Sequence, residues 1–338
     1  MKRLMIFSVC VLCCTASMQA QQKFNVQNGT KTEFYDGLEE AIQKAASGDT
    51  IYLPGGVIQV QNDLIIDKKL ALIGAGWDVD SIGGLMKTDL RKNGSYNVTI
   101  NFREGSDGSL LMGCELSSVS FGHRDQFNDD HQNIQNITIW RNKCNSVALG
   151  VGVGVGVNNV RNIFIKENYI PQIYSYSASN CWINNNVIHG VISGLNDSHI
   201  YNNVIIQIQD MNECIFENNF IINGVGNYCN NSTFAHNAFA TIVNFPNGTN
   251  TGINNLVEQG TIYTFQVDNL SFPKNLVIRD TSPCKNAGTD GTDIGIFGGS
   301  TPFKSRPFNP HIDKAIISSQ TDKEGILKVE ITATAQDR

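Results

Sequence analysis

The sequence predicts an all-β chain wound into a solenoid, and three observations carry the prediction. A short apolar strand followed by an asparagine returns every 16 to 18 residues from residue 163 onward. The repeated strands are rich in β-branched and aromatic residues whose alternation suits a half-buried strand. The unit is also too short to hold a pair of helices. A fixed short period means a stacked architecture in which each unit touches only its neighbours.

Residues 1–20 open with Met1-Lys2-Arg3, continue as an apolar run from Leu4 to Cys14, and end at Met18-Gln19-Ala20. This basic, then apolar, then small-residue order is that of a secretory signal, with cleavage expected after Ala20. Leu12 and Cys13 are poor predecessors for a lipid-modified cysteine, which argues against an anchor at Cys13 or Cys14. No later segment approaches the roughly 20 apolar residues of a transmembrane helix. The expected location is secreted, periplasmic or on the outer cell surface. The whole chain carries 25 basic and 31 acidic residues, a net charge of −6. Loss of Lys2 and Arg3 leaves 23 against 31, or −8. An acidic chain does not suit general nucleic-acid binding.

Residues 36–46 read as a short amphipathic helix with Leu38, Ile42 and Ala45 on one face. The open end of a solenoid needs a cover, and this helix is the candidate cap. Strands follow at Thr50–Leu53, Leu64–Ile66 and Leu70–Ile73.

The repeated rungs begin with Ile137-Thr138-Ile139. They continue with Ile163-Phe164-Ile165, Cys181-Trp182-Ile183, Ser198-His199-Ile200, Cys214-Ile215-Phe216 and Ser232-Thr233-Phe234. Their asparagines are Asn142, Asn168, Asn186, Asn203, Asn219 and Asn237, and Asn255 closes a degenerate copy. Asparagine tolerates left-handed backbone angles and bonds its own backbone, so it suits the bend between rungs. Rungs about 4.8 Å apart would let successive side-chain amides bond into a ladder. Signal removal leaves six cysteines: Cys114, Cys144, Cys181, Cys214, Cys229 and Cys284. Cys181 and Cys214 share one rung position two rungs apart, about 10 Å, which exceeds disulfide reach. Both read as buried thiols.

The stretch Gly48-Asp49-Thr50-Ile51-Tyr52-Leu53-Pro54-Gly55-Gly56 resembles the N-terminal coil of pectate-lyase-like right-handed parallel β-helix proteins. Leu70-Ala71-Leu72-Ile73-Gly74-Ala75-Gly76 is similar to their next coil. Ser282-Pro283-Cys284-Lys285-Asn286-Ala287-Gly288, with Asp293-Ile294-Gly295-Ile296-Phe297-Gly298-Gly299, resembles the terminal coil of secreted bacterial members. The resemblance implies a right-handed parallel β-helix over residues 21–300, with the N-terminal capping helix. Residues 301–311, with Pro302, Pro307 and Pro310, read as a linker. Residues 312–338 read as a C-terminal β-hairpin or tail, a short β appendage.

The resemblance also implies two enzyme classes. A polysaccharide lyase needs a basic residue beside a uronate, often with acidic residues holding Ca²⁺ against its carboxyl. A glycoside hydrolase needs carboxylates facing one groove. The rungs supply neither set. The richest ionisable cluster is the expected loop containing His123, Arg124, Asp125, Asp129, Asp130 and His131. There the two histidines are candidate acid or base, Arg124 a carboxylate ligand, and Asp129 and Asp130 candidate Ca²⁺ ligands. Asp290 and Asp293 read as structural.

If residues three and five before each asparagine point inward, those at four and two before it point outward. One outward column is Thr138, Phe164, Trp182, His199, Ile215, Thr233; the other is Trp140, Lys166, Asn184, Tyr201, Glu217, Ala235. Trp140, Phe164, Lys166, Trp182, His199 and Tyr201 are therefore candidate sugar-binding residues on one sheet face. The alternating run from Gly150 to Val157 reads as a strand with one bare face and lacks the pattern of a phosphate loop. His189 and His236 fall near bends. The expected function is polysaccharide or cell-surface glycan binding without catalysis. The alternative is a lyase or hydrolase acting on an acidic glycan, and a structural envelope protein is a third reading.

Overall fold

A computed structural model describes residues 22–78, 86–95, 97–122, 133–150, 159–176, 178–260, 276–306 and 311–334. The expected signal at 1–20, the cluster at 123–131 and the Gly/Val run at 151–157 lie outside the described residues.

The protein is nearly all β, and its strands stack into long sheets that are mostly parallel. The first sheet has twelve strands. It runs in parallel from Thr50–Tyr52 through Ala71–Ile73, Leu110–Met112, Thr138–Trp140, Phe164–Lys166, Trp182–Asn184, His199–Tyr201, Ile215–Glu217 and Thr233–Ala235 to Thr251–Ile253. A second sheet stacks Gly56–Val60, Thr88–Lys92, Cys114–Phe121, Lys143–Leu149, Tyr169–Ser175, Val187–Ser193, Val204–Gln209, Phe220–Ile221 and Ala238–Phe239. A third row begins where Asn133–Gln135 pairs with Asn159–Arg161 and continues as single bridges through Ser179, Asn196, Asn212 and Asn230. Each repeat visits the three rows in turn and then steps up one rung, giving a solenoid-like stack.

Tight corners produce this shape. Each of the six strands of the first sheet from Thr138–Trp140 to Thr233–Ala235 is flanked by two residues in the left-handed region, five positions apart. The pairs are Asn136/Arg141, Asn162/Glu167, Asn180/Asn185, Asp197/Asn202, Glu213/Asn218 and Asn231/His236, with φ between 45° and 60°. Most are Asn or Asp, the non-glycine residues that reach this region at least cost. The sequence reading placed the bend on the ladder asparagine; the left-handed residue is instead the one before it. That frees the ladder asparagine to turn its side chain along the stack. Asn142, Asn168, Asn186, Asn203, Asn219, Asn237 and Asn255 each present Oδ1 to a neighbouring rung, with backbone N–H donors at 2.8–3.0 Å. The Nδ2 groups from Asn142 to Asn237 donate to the next Oδ1 and to backbone carbonyls, as Asn203 does to Asn219 Oδ1 and Ile183 O, and Asn255 Nδ2 donates to Phe234 O.

Inside the coil, equivalent residues stack on one another. Leu72, Leu111, Ile139, Ile165, Ile183, Ile200, Phe216 and Phe234 form one buried column. Phe216 and Phe234 lie with ring centroids 4.5 Å apart and planes 4° apart. All six described cysteines are buried free thiols.

The N-terminal end departs from the repeat. Phe24–Asn28 and Lys31–Tyr35 form an antiparallel hairpin that extends the first sheet beyond Thr50–Tyr52. Next comes the helix Leu38–Lys44, which buries Leu38, Ala41 and Ile42. Lys68 Nζ donates to Gln43 O and Ala45 O, satisfying carbonyls at the helix C terminus.

The stretch that resembles a terminal coil is not another rung. Residues 276–306 run back along the outside of the stack like a strap. Thr289 and Asn218 exchange two hydrogen bonds, and Asn185 Nδ2 donates to Ile296 O and Gly298 O. Lys304 N donates to Glu167 Oε2, and Arg141 Nη1 donates to Arg306 O at 2.6 Å. Leu276, Ile278, Cys284, Ile294, Ile296 and Phe303 form a second core with Trp77, Val187, Val204, Phe220 and Ala238. Beyond the strap, His311–Ile317 and Val329–Thr334 pair as an antiparallel hairpin. Among the described residues no helix is long and apolar enough to cross a membrane.

Candidate functional site

Register places the residues singled out in the sequence on one outer face of the first sheet. Thr138, Phe164, Trp182, His199, Ile215 and Thr233 are cross-strand neighbours in one line. Trp140, Lys166, Asn184, Tyr201, Glu217 and Ala235 form the second line. Corners on both sides of each strand leave room for only one inward residue between the two outward ones, so the columns stay straight.

The first line is the more open. Phe164 is 37% exposed, Trp182 43% and Ile215 46%. His199 lies between Trp182 and Ile215, and its Nε2 is 2.7 Å from Glu217 Oε2. The rings of Trp182, His199 and Tyr201 are nested. Trp182 and His199 lie 5.1 Å apart at 58°, and Trp182 meets Tyr201 edge-on at 6.3 Å and 87°. This is a folded aromatic wall with a polar rim, not a flat shelf.

The second line is only partly available. Trp140 is engaged in a network: Lys166 Nζ sits 3.7 Å from its ring centroid and the Arg141 guanidinium 4.7 Å. Its Nε1 donates to Glu167 Oε1 at 2.8 Å. Burial of Lys166 over that ring lowers its pKa, opposed by Glu167. Asn184 and Ala235 point out of the sheet yet are buried. Asn184 Nδ2 bonds Asn185 Oδ1, and Asn185 is held under the strap. Burial likewise raises the pKa of Tyr201.

Sequence reasoning assigned no role to Glu167. It is the hub of a buried cluster, accepting from Trp140, from Arg141 Nε at 2.9 Å and from Lys304 N. The same reasoning left Trp77, Lys143 and Tyr169 aside and put His189 near a bend. His189 lies inside the strand Val187–Ser193. The available signal was Gly190, because a glycine inside a strand marks a bulge or a close backbone approach. His236, by contrast, is a left-handed corner residue. Among the described residues no group of three His, Cys, Asp or Glu could hold a metal ion. The candidate acid, base and Ca²⁺ residues His123, Arg124, Asp125, Asp129, Asp130 and His131 lie outside them.

No protein-family model matches the chain, and a search of curated proteins returns no significant match.

Proposed function

We propose that the protein is a secreted, pectate-lyase-like right-handed β-helix that binds a polysaccharide along the outer face of its first sheet, without catalysis there. The observation that carries this reading is the open line Phe164, Trp182, His199, Ile215, flanked by Tyr201 and the His199–Glu217 pair. A row of exposed apolar side chains on an otherwise polar surface marks a place where something docks. Sugar rings stack through their C–H faces on aromatic rings, and their hydroxyls accept and donate to groups such as His199 and Glu217. One rung advances about 4.8 Å, so a glycan lying along the stack meets an equivalent side chain at each step. The helix Leu38–Lys44 is the proposed cap of the N-terminal end, its buried face turned to the coil.

The test is retention of the protein on a panel of neutral and acidic polysaccharides, with unsaturated uronate and new reducing ends followed in the same tubes. We expect retention without product, and Trp182→Ala should weaken retention about tenfold, the loss of one aromatic anchor. Unchanged retention in that variant would sink the assignment. Product release would instead favour a lyase or hydrolase.

A further inference from the structure

A second cleft opens on the other long sheet, away from the aromatic face. It has a volume of about 270 Å³ and is lined by Trp77, Lys143, Asn145, Tyr169, Pro171 and His189. That is near the lower end of small-molecule sites, which run from about 300 Å³ upward.

A deliberate irregularity builds it. Along the strand Val187–Ser193, Ile188 pairs with Ile170 and Val191 with Gln172, so His189 and Gly190 together face the single residue Pro171. The next strand repeats the mismatch: Ile188 pairs with Ile205 and Val191 with Gln207. This is a β-bulge, a device that re-aims side chains and is common beside functional sites. Gly190 is required there, since a Cβ would stand 2.3 Å from Pro171 O. Pro171 has no N–H to give to the ladder, so the bulge wastes no hydrogen bond. The coil itself does not need the bulge. Its result is that the His189 ring lies over Tyr169, centroids 4.5 Å apart at 39°. Trp77, held in the second core by the strap, lies 5.9 Å from Tyr169.

Among the described residues that line the cleft, one is a cation. Lys143 is the rung neighbour of Tyr169, and its side chain is 41% exposed. It contacts Glu115 Oε1 at 3.1 Å, while Glu115 Oε2 also binds Lys87. That carboxylate is shared by the two lysines, and Lys87 also lies 3.6 Å from Asp89 Oδ2. Burial, with Lys143 nearby, lowers the pKa of His189, so the imidazole is neutral at pH 7.

We propose that this cleft is a separate binding site for a small carboxylate built on a single ring, the ring against Tyr169 and the carboxylate on Lys143. The proposal stands on other residues than the glycan face and survives if that reading fails. Two sources share this chemistry: an aromatic acid and a sugar acid, the latter free or at the end of a chain.

The test uses benzoate and glucuronate, with phenol and glucose as their uncharged counterparts. Binding is read from the His189 imidazole resonances of the full chain. A carboxylate should shift the His189 signals and bind at least tenfold more tightly than its uncharged partner. Lys143→Met should remove that preference, and Lys143→Arg should keep it. Which acid binds separates the aromatic from the sugar source, and a glucuronate-ended oligosaccharide that binds as well as the monomer identifies a chain end. No His189 shift with either acid, or equal binding of charged and uncharged probes, overturns the proposal. So does a folded Lys143→Met protein with the preference intact. If that variant fails to fold, the wild-type comparison of charged with uncharged probes decides alone.

Discussion

Cys114, Cys144 and Cys214 face the interior, where burial pushes each thiol up to about 12, and Cys181 reaches about 11. Only thiolates alkylate at a useful rate. Iodoacetamide at pH 8 should therefore leave these cysteines unlabelled in the native protein and label them all in denaturant, as intact-mass analysis would show. Native labelling of any of the four would contradict their burial. His189 behaves in the opposite sense, since burial lowers its pKa. In the unfolded chain the imidazole protonates near pH 6.5, and in the folded chain only at lower pH. Above that value neither state is charged and the residue contributes nothing to pH dependence. As pH falls below about 6.5 the unfolded state takes the proton first, and stability drops until the folded pKa is passed. Replacing His189 with Gln should flatten this fall, measured by urea unfolding at each pH; parallel curves would show that the imidazole is not responsible. At this scale the sequence was informative about direction. Two residues out of every strand must face away from the core, and Phe164, Trp182 and Ile215 do so in the open. Asn184 and Ala235 point the same way but are buried, and Asn184 bonds Asn185, which the strap holds from Ile296, 111 positions away. No local pattern carries that information.

Strands of three residues have little stability alone, so each rung depends on its corners. Within the ladder Asn203 accepts from Asn186 N–H and donates to Asn219 Oδ1, Ile183 O and Tyr201 O. Replacing it with Ala leaves several buried partners unsatisfied, and a cost on the order of 3 kcal/mol follows. Asn255 is the last member and only partly buried. Asn255→Ala should cost less than half as much, and equal denaturation midpoints for the two variants would refute the ladder as a stabilising element. The recurring asparagines and the 16- to 18-residue period were legible because stacking demands chemical identity at one position of each rung. The left-handed corners were less so. Arg141, Glu167 and Glu213 occupy them without any local preference for that conformation, held there by the stack above and below. The N-terminal hairpin was likewise invisible, because its strand Lys31–Tyr35 is exposed except for Tyr35 and lacks an apolar alternation.

Across the whole molecule, the long parallel stack was readable from the repeat, whereas the strap was not. Its residues look like another coil because they are apolar and glycine-rich in the same way, and only the surface they cover distinguishes the two. Arg141 and Glu167, nearly buried and 2.9 Å apart, tie the strap's far end to the stack. Arg141→Ala leaves Glu167 charged in a buried site, a loss of about 3–5 kcal/mol. It should also release the chain at Lys304, so that trypsin cuts after that residue faster than in the parent. Unaltered digestion would mean that the strap is held chiefly by its apolar core.

The strap also bears on how such a chain can change length. A bare solenoid can gain or lose a repeat anywhere, since each rung knows only its neighbours. Here the returning segment meets Asn218, Asn185, Glu167 and Arg141 in descending order, rung by rung. Duplicating one repeat in the middle would slide half of those meetings out of step, unless the returning segment lengthened by the same rise. Coil and strap are therefore matched like a ruler and its scale, and the number of rungs between Arg141 and Asn218 is heritable only as a set.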